Sequence, residues 1–171
     1  MTNINVKVKR LHPDAVLPRL ATEGSAGFDL YAAEDDIIEP GETVVIETGL
    51  AFELPPGYEM QIRPRSGITS KTKLRVQLGT VDADYRGEVG VIVDNTSTDT
   101  WSNASRRIDN AYDESTRNKT SGYIIKSGDR IAQAVIQRLP SVEFTEVESL
   151  GDTERGAGGF GSTGINAKEG E

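Results

Sequence analysis

Apolar residues recur along the chain in short runs rich in Val and Ile, alternating with polar positions and closed by glycine and proline. The segments INVKVKRL (4–11), ETVVIETGLAFEL (42–54), YEMQIRP (58–64), EVGVIVDN (88–95), GYIIKSG (122–128) and RIAQAVIQRL (130–139) all read this way. Alternation with a period of two sets one face of a segment on a core and the other in water, the pattern of a half-buried strand. The clusters PGE (40–42), PPGY (55–58), RGE (86–88) and SGD (127–129) separate the runs, since Gly, Pro and Asp satisfy turn geometry locally. Parallel βαβ units would need helical runs between successive strands, and the pattern does not offer them. The predicted class is therefore all-β, a sandwich or barrel. Only SGITSKTKL (66–74) suits a short internal helix, with Ser66 or Ser70 as its cap.

Residues 94–121, DNTSTDTWSNASRRIDNAYDESTRNKTS, interrupt this regularity with a polar stretch too long for a compact sheet. Loops of that length are functional or disordered. Ile108, Ala111 and Tyr112 stand at helical spacing, so a small amphipathic helix that docks, with Trp101 as a second anchor, is one expectation, and a disordered insertion is the other. The sequons at Asn95, Asn103 and Asn118 carry little weight without a secretory signal.

Composition narrows the chemistry. A chain of 171 residues fits one domain with a workable core. With 19 Lys and Arg against 27 Asp and Glu the formal charge is -8, which disfavours a nonspecific nucleic-acid surface and requires any anion to be gripped locally. Cysteine is absent and His12 is the single histidine, so disulfides, structural zinc and Cys/His or Ser/His/Asp catalysis are excluded. A metal here would be a hard ion held by oxygen. The N-terminus lacks an apolar signal core and no stretch reaches membrane-spanning length, which predicts a cytoplasmic protein.

Five segments combine glycine with charge: SAGFDLYAAED (25–35), PRSGI (64–68), GTVDADYRGEVGV (79–91), GDRIAQAVI (128–136) and RGAGGFGSTG (155–164). Singly, each reads as a turn, a surface loop or, for the last, a flexible tail. In this order and wording they resemble the five motifs of the trimeric dUTPases. The resemblance spans nearly the whole chain outside 94–121 and the last few residues. It implies a jelly-roll-like β-barrel over residues 1–150, interrupted at 94–121, and a mobile glycine-rich arm over 151–171. It further implies a homotrimer with three shared active sites that hydrolyses dUTP to dUMP and pyrophosphate with magnesium.

The residues can be read against that reaction. Attack of water on a triphosphate needs a proton acceptor and donors or cations where negative charge accumulates. Asp82 is the best acceptor. Asp84 is its rival but would point to the opposite side of an extended segment. Arg65 can pair with phosphate oxygens, Ser66 can donate a hydrogen bond to the breaking bridge, and Gly67 permits close backbone approach. Ser66 as a nucleophile lacks a base. Gln133 is a further phosphate contact, while Asp129 and Arg130 read as a structural pair. The resemblance assigns Tyr85 to a gate against a 2′-hydroxyl, and the main chain around Thr80, Val81 and Gly90 to uracil. It assigns Asp29 to waters on the metal, and the arm residues Arg155, Phe160, Gly161, Ser162 and Thr163 to the closing cover, with Arg155 and Ser162 or Thr163 on the γ-phosphate and Phe160 on uracil. Val76 departs from the polar Asn of many relatives. The alternative function is an interaction protein on the same fold, binding a protein partner through 94–121.

Overall fold

The computed structural model describes residues 3–98, 105–109, 111–113 and 122–159. Trp101, Asn103, Asn118, Phe160, Gly161, Ser162 and Thr163 lie outside the described residues. The strands are β1 (Lys7–Arg10), β2 (Phe28–Tyr31), β3 (Asp36–Ile38), β4 (Thr43–Glu53), β5 (Tyr58–Arg63), β6 (Leu74–Val76), β7 (Gly79–Val81), β8 (Glu88–Asn95), β9 (Arg106–Arg107), β10 (Tyr123–Ile125) and β11 (Arg130–Arg138). The one described helix is α1 (Ser66–Lys71). All six Val/Ile-rich runs became strands, as their alternation predicts. On β8, Val89, Val91 and Val93 point into the core, and on β4 Ile46, Leu50 and Phe52 do the same.

The strands form three sheets, in the orders β1-β4-β8-β6, β3-β10-β9 and β2-β11-β5-β7. Every pair is antiparallel except β10 with β9. The class is jelly-roll-like, but the ladders do not close into the barrel expected from the sequence. What joins the sheets is one apolar cluster, to which β2, β4, β5, β8, β10 and β11 all contribute, so the layers are held by side-chain burial rather than by continuous hydrogen bonding.

Two local features differ from expectation. Neither Ser66 nor Ser70 caps α1: the cap position is Arg65, in extended backbone with no side-chain capping bond, since a guanidinium carries donors only and cannot accept from a helix N–H. The 105–113 segment is not helical. Arg106 and Arg107 pair in parallel with Tyr123 and Ile124, and a turn returns Tyr112 opposite Arg106. Ile108 does pack against the core as its apolar character requires, whereas Tyr112 is exposed. Asn95 is buried, its amide donating to Ile38 O and its carbonyl accepting from Ser97 N, which leaves that sequon no room for a glycan.

The described chain divides into two units, 3–140 and 141–159. The second contains no strand or helix among its described residues, and Phe144 and Leu150 are exposed along it.

Candidate active site

The β2-β11-β5 ladder assembles the first group of predicted residues. Asp29 on β2 stands opposite Gln133 on β11, which stands opposite Arg63 on β5. Beyond β5 the chain passes Pro64, whose carbonyl accepts a 2.9 Å bond from Gln133 Nε2, and this sets the exit direction of Arg65. Arg65 Nε then meets Asp29 Oδ1 at 2.8 Å, and its second nitrogen donates to Arg130 O at 3.3 Å. Arg130 reaches the other oxygen, Oδ2, at 3.5 Å. Asp29 thus lies between two guanidinium groups with its side chain 22% exposed. The predicted Asp129–Arg130 pair is not formed. Asp129 instead accepts from Lys126 N at 2.9 Å, since adjacent residues leading into a strand face different ways. Ser66 and Gly67 are exposed at the start of α1, and a side chain at Gly67 would meet open space.

The second group lies on the β7–β8 hairpin. Gly79, Thr80 and Val81 pair with Ile62, Gln61 and Met60. The chain then turns, Tyr85 N donating to Asp82 O at 3.2 Å, so the segment is not extended as the comparison of Asp82 with Asp84 assumed. The two carboxylates still part company. Asp84 lines a cavity with Lys7, Glu53 and Arg86, while Asp82 is exposed and its carboxylate carries no hydrogen bond or ion pair among the described residues. Arg86 braces the turn by donating to Ala83 O and Tyr85 O.

Tyr85 is fixed from beneath. Its hydroxyl donates to Glu88 O at 2.9 Å, and the ring lies so close over Gly87 that a Cβ there would fall 2.5 Å from Cζ. Glu88 is positioned in turn by the bulge in β4, where Gly49, at φ 68°, donates its N–H to Glu88 Oε1 at 2.7 Å. Next to it, burial and the neighbouring Glu88 charge raise the pKa of Glu47 above its ordinary value. At Gly90 a Cβ would fall 2.5 Å from Val45 Cγ1, so this glycine serves packing against β4. Val76 is a core residue and offers a ligand only its backbone.

These two groups sit at opposite ends of one ladder. Because β5 and β7 are antiparallel, Arg65 leaves beyond the Ile62–Gly79 pair and Asp82 leaves beyond the Met60–Val81 pair. At about 3.3 Å per residue, the five steps from Met60 to Arg65 correspond to roughly 16 Å along the chain. In the second unit, Arg155 is exposed and its Nε donates to Gly158 O at 2.8 Å, within a turn where Gly156 N meets Thr153 O.

The fold and these clusters define a jelly-roll-like β protein with a guanidinium–carboxylate cluster and a glycine-braced hairpin as separate parts of its site. Comparison specifies it further: the family model described as dUTPase matches residues 14–108 and 116–164, and the chain belongs to the dUTPase family. Only 109–115 of the interrupting stretch falls between the matched segments. A deoxyuridine 5′-triphosphate nucleotidohydrolase of Nautilia profundicola is 46% identical over 163 residues, covering 94% of this chain and 99% of the relative. The structure of a mutant dUTPase of Staphylococcus bacteriophage 80alpha with dUpNHpp is similar at a TM-score of 0.89 and 36% identity, covering 94% of this chain and 99% of that one. A mutant dUTPase of the S. aureus phage phi11, described with a structural Mg(II) ion, is similar at a TM-score of 0.80 and 31% identity, with 86% of this chain and 99% of that one covered.

Proposed function

We propose that this chain hydrolyses dUTP to dUMP and pyrophosphate as a homotrimer whose active sites are shared between copies. The observation that carries the sharing is the placement of Asp82 and the Asp29–Arg65 cluster at opposite ends of the β5/β7 ladder. Groups that must act on one phosphate chain are thereby kept apart within one copy, and a neighbouring copy brings them together. The arm beginning near Arg155 supplies the cover from another copy, with Phe160, Gly161, Ser162 and Thr163 as its nucleotide-facing residues.

In this reading Asp82 orients a water and takes its proton as the water oxygen bonds to the α-phosphorus. The bond from that phosphorus to the bridging oxygen breaks, and the oxygen leaves on pyrophosphate. Arg65 pairs with phosphate oxygens, Ser66 donates to the departing bridge, and Gln133 offers the phosphate the amide hydrogen that Pro64 does not use. No group of three or more Asp, Glu or His among the described residues could hold a metal by itself, which suits an ion held chiefly by phosphates and waters. Asp29 fits such an ion. Its oxygens already accept from Arg65 and Arg130, and since a carboxylate has about four lone-pair sites, it retains capacity for metal-bound water. Magnesium, when bound, would neutralise polyphosphate charge; Asp29 and Arg65 hold its surroundings.

Main-chain groups at Thr80, Val81 and Gly90 read uracil, and the Tyr85 ring stands against the sugar. Tyr85→Ala is expected to lower the ratio of kcat/KM for dUTP over UTP by about tenfold or more, while Tyr85→Phe keeps the ring and the ratio. An unchanged ratio in Tyr85→Ala would remove the gate. The decisive test of the whole reading is pyrophosphate release from dUTP, dCTP, dTTP and UTP with and without magnesium. Only dUTP with magnesium should turn over rapidly, and a chain that leaves dUTP intact under those conditions is not this enzyme.

A further inference from the structure

The base of the interrupting stretch is held by the core. Ser105 is fully buried, Ile108 packs on the core, and Arg107 N donates to Ala111 O at 2.8 Å. Successive side chains on a strand take opposite faces. Arg106 turns toward Tyr112, with its guanidinium 4.5 Å from the ring centroid and a 2.7 Å bond to the hydroxyl. Arg107 faces the other way, exposed, and has no ion pair or side-chain hydrogen bond among the described residues.

Arg107 lines a cavity of about 510 Å³ together with Arg65, Gly67, Lys71 and Arg130. Two carboxylates border it. Asp109 accepts from Ala111 N and Asp129 from Lys126 N, while Arg65 and Arg130 share Asp29. Among the described residues, Lys71 and Arg107 are the lining cations without a carboxylate partner. In a chain of net charge -8, a polyanion is drawn in only where cations are concentrated like this. Of the two, Arg107 presents a planar fork suited to two phosphate oxygens at once, whereas Lys71 is a point charge.

We propose that Arg107 is a phosphate-binding residue that holds the β- and γ-phosphates of the nucleotide, so that the interrupting stretch completes the triphosphate pocket beside Arg65. This rests on the dUTP reading above and specifies which part of the nucleotide the segment meets. The test uses the full chain with magnesium, titrated calorimetrically with α,β-imido-dUTP and separately with dUMP. Arg107→Gln should weaken the imido-triphosphate roughly fivefold to tenfold, as loss of one charge-assisted contact at an exposed site would, and leave dUMP unchanged. Arg107→Lys should recover part of the loss, and in turnover KM for dUTP should rise with kcat preserved. Unchanged binding of the imido-triphosphate by Arg107→Gln, or an equal loss for dUMP, overturns the role of Arg107. A wild-type chain that neither binds nor hydrolyses dUTP overturns the underlying reading instead, so the two failures are distinct.

Discussion

Asp82→Asn is expected to turn dUTP over at least about 100-fold more slowly than the wild-type chain, with α,β-imido-dUTP still binding. The substitution is nearly isosteric, so the turn closed by Tyr85 N on Asp82 O is kept. What changes is the ability to accept a proton. The wild-type carboxylate has no hydrogen-bond or ion-pair partner among the described residues, so its loss leaves no buried charge unpaired and should scarcely alter stability. This separates a chemical role from a structural one. Asp84→Asn is the control: that carboxylate lines a different cavity and its removal should leave turnover close to normal. The measurements are kcat from pyrophosphate release and affinity from calorimetry; near-normal turnover by Asp82→Asn would pass the proton-acceptor role to another group.

Gly27→Ala should damage both stability and activity, through the backbone. A Cβ at position 27 would overlap the Ala134 carbonyl oxygen and lie 3.0 Å from Val135 Cγ2. Ala134 belongs to β11, which is paired on both sides, so its carbonyl cannot retreat without disturbing two ladders. β2 must move instead, and with it Asp29, which holds Arg65 and Arg130. Overpacking of this kind costs about 3 kcal/mol, or roughly 10 °C in Tm for a domain of this size. The kcat/KM measured well below the melting range should fall by roughly tenfold or more, since displacement of a positioning group by about 1 Å has effects of that order or larger. Gly24→Ala, where a Cβ meets nothing within 4 Å, should be neutral. An unchanged Tm in Gly27→Ala would mean that β2 accommodates the added methyl without disturbing either ladder.

The long strands were legible because Val and Ile at alternate positions can satisfy a core in only one way. β1 and β10 are as short but lie inside such runs, whereas β2, β3, β6 and β7 belong to none of the six runs and owe their conformation to a remote partner. Asp29, Arg65 and Gln133 were recognisable as charged or polar residues beside glycine in ordered motifs, and the structure places them together. Arg130 was misread because its partner Asp29 is distant in sequence, while the adjacent Asp129 is taken up by Lys126 N. Arg107, proposed above as a phosphate contact, lies in a polar stretch that drew no such reading; the only signal was an arginine pair beside the apolar Ile108. The helical spacing of Ile108, Ala111 and Tyr112 was equally compatible with a tight turn, and the parallel pairing with β10 decided the outcome. The open sheets show a limit of another kind: alternation says which face is buried, not whether the last ladder closes.

The central place of β11 between β2 and β5 has a consequence for biogenesis. On the ribosome, residues 130–138 are the last strand of the first unit to emerge, and until then β2 lacks its sheet neighbour. A nascent chain therefore holds its aspartate and arginines as unassembled pieces during most of its synthesis, and pairing over such sequence distances is slow to nucleate. Under the proposed function, a chain cut short before that strand is expected to lack the Asp29–Arg65 cluster and to bind no nucleotide.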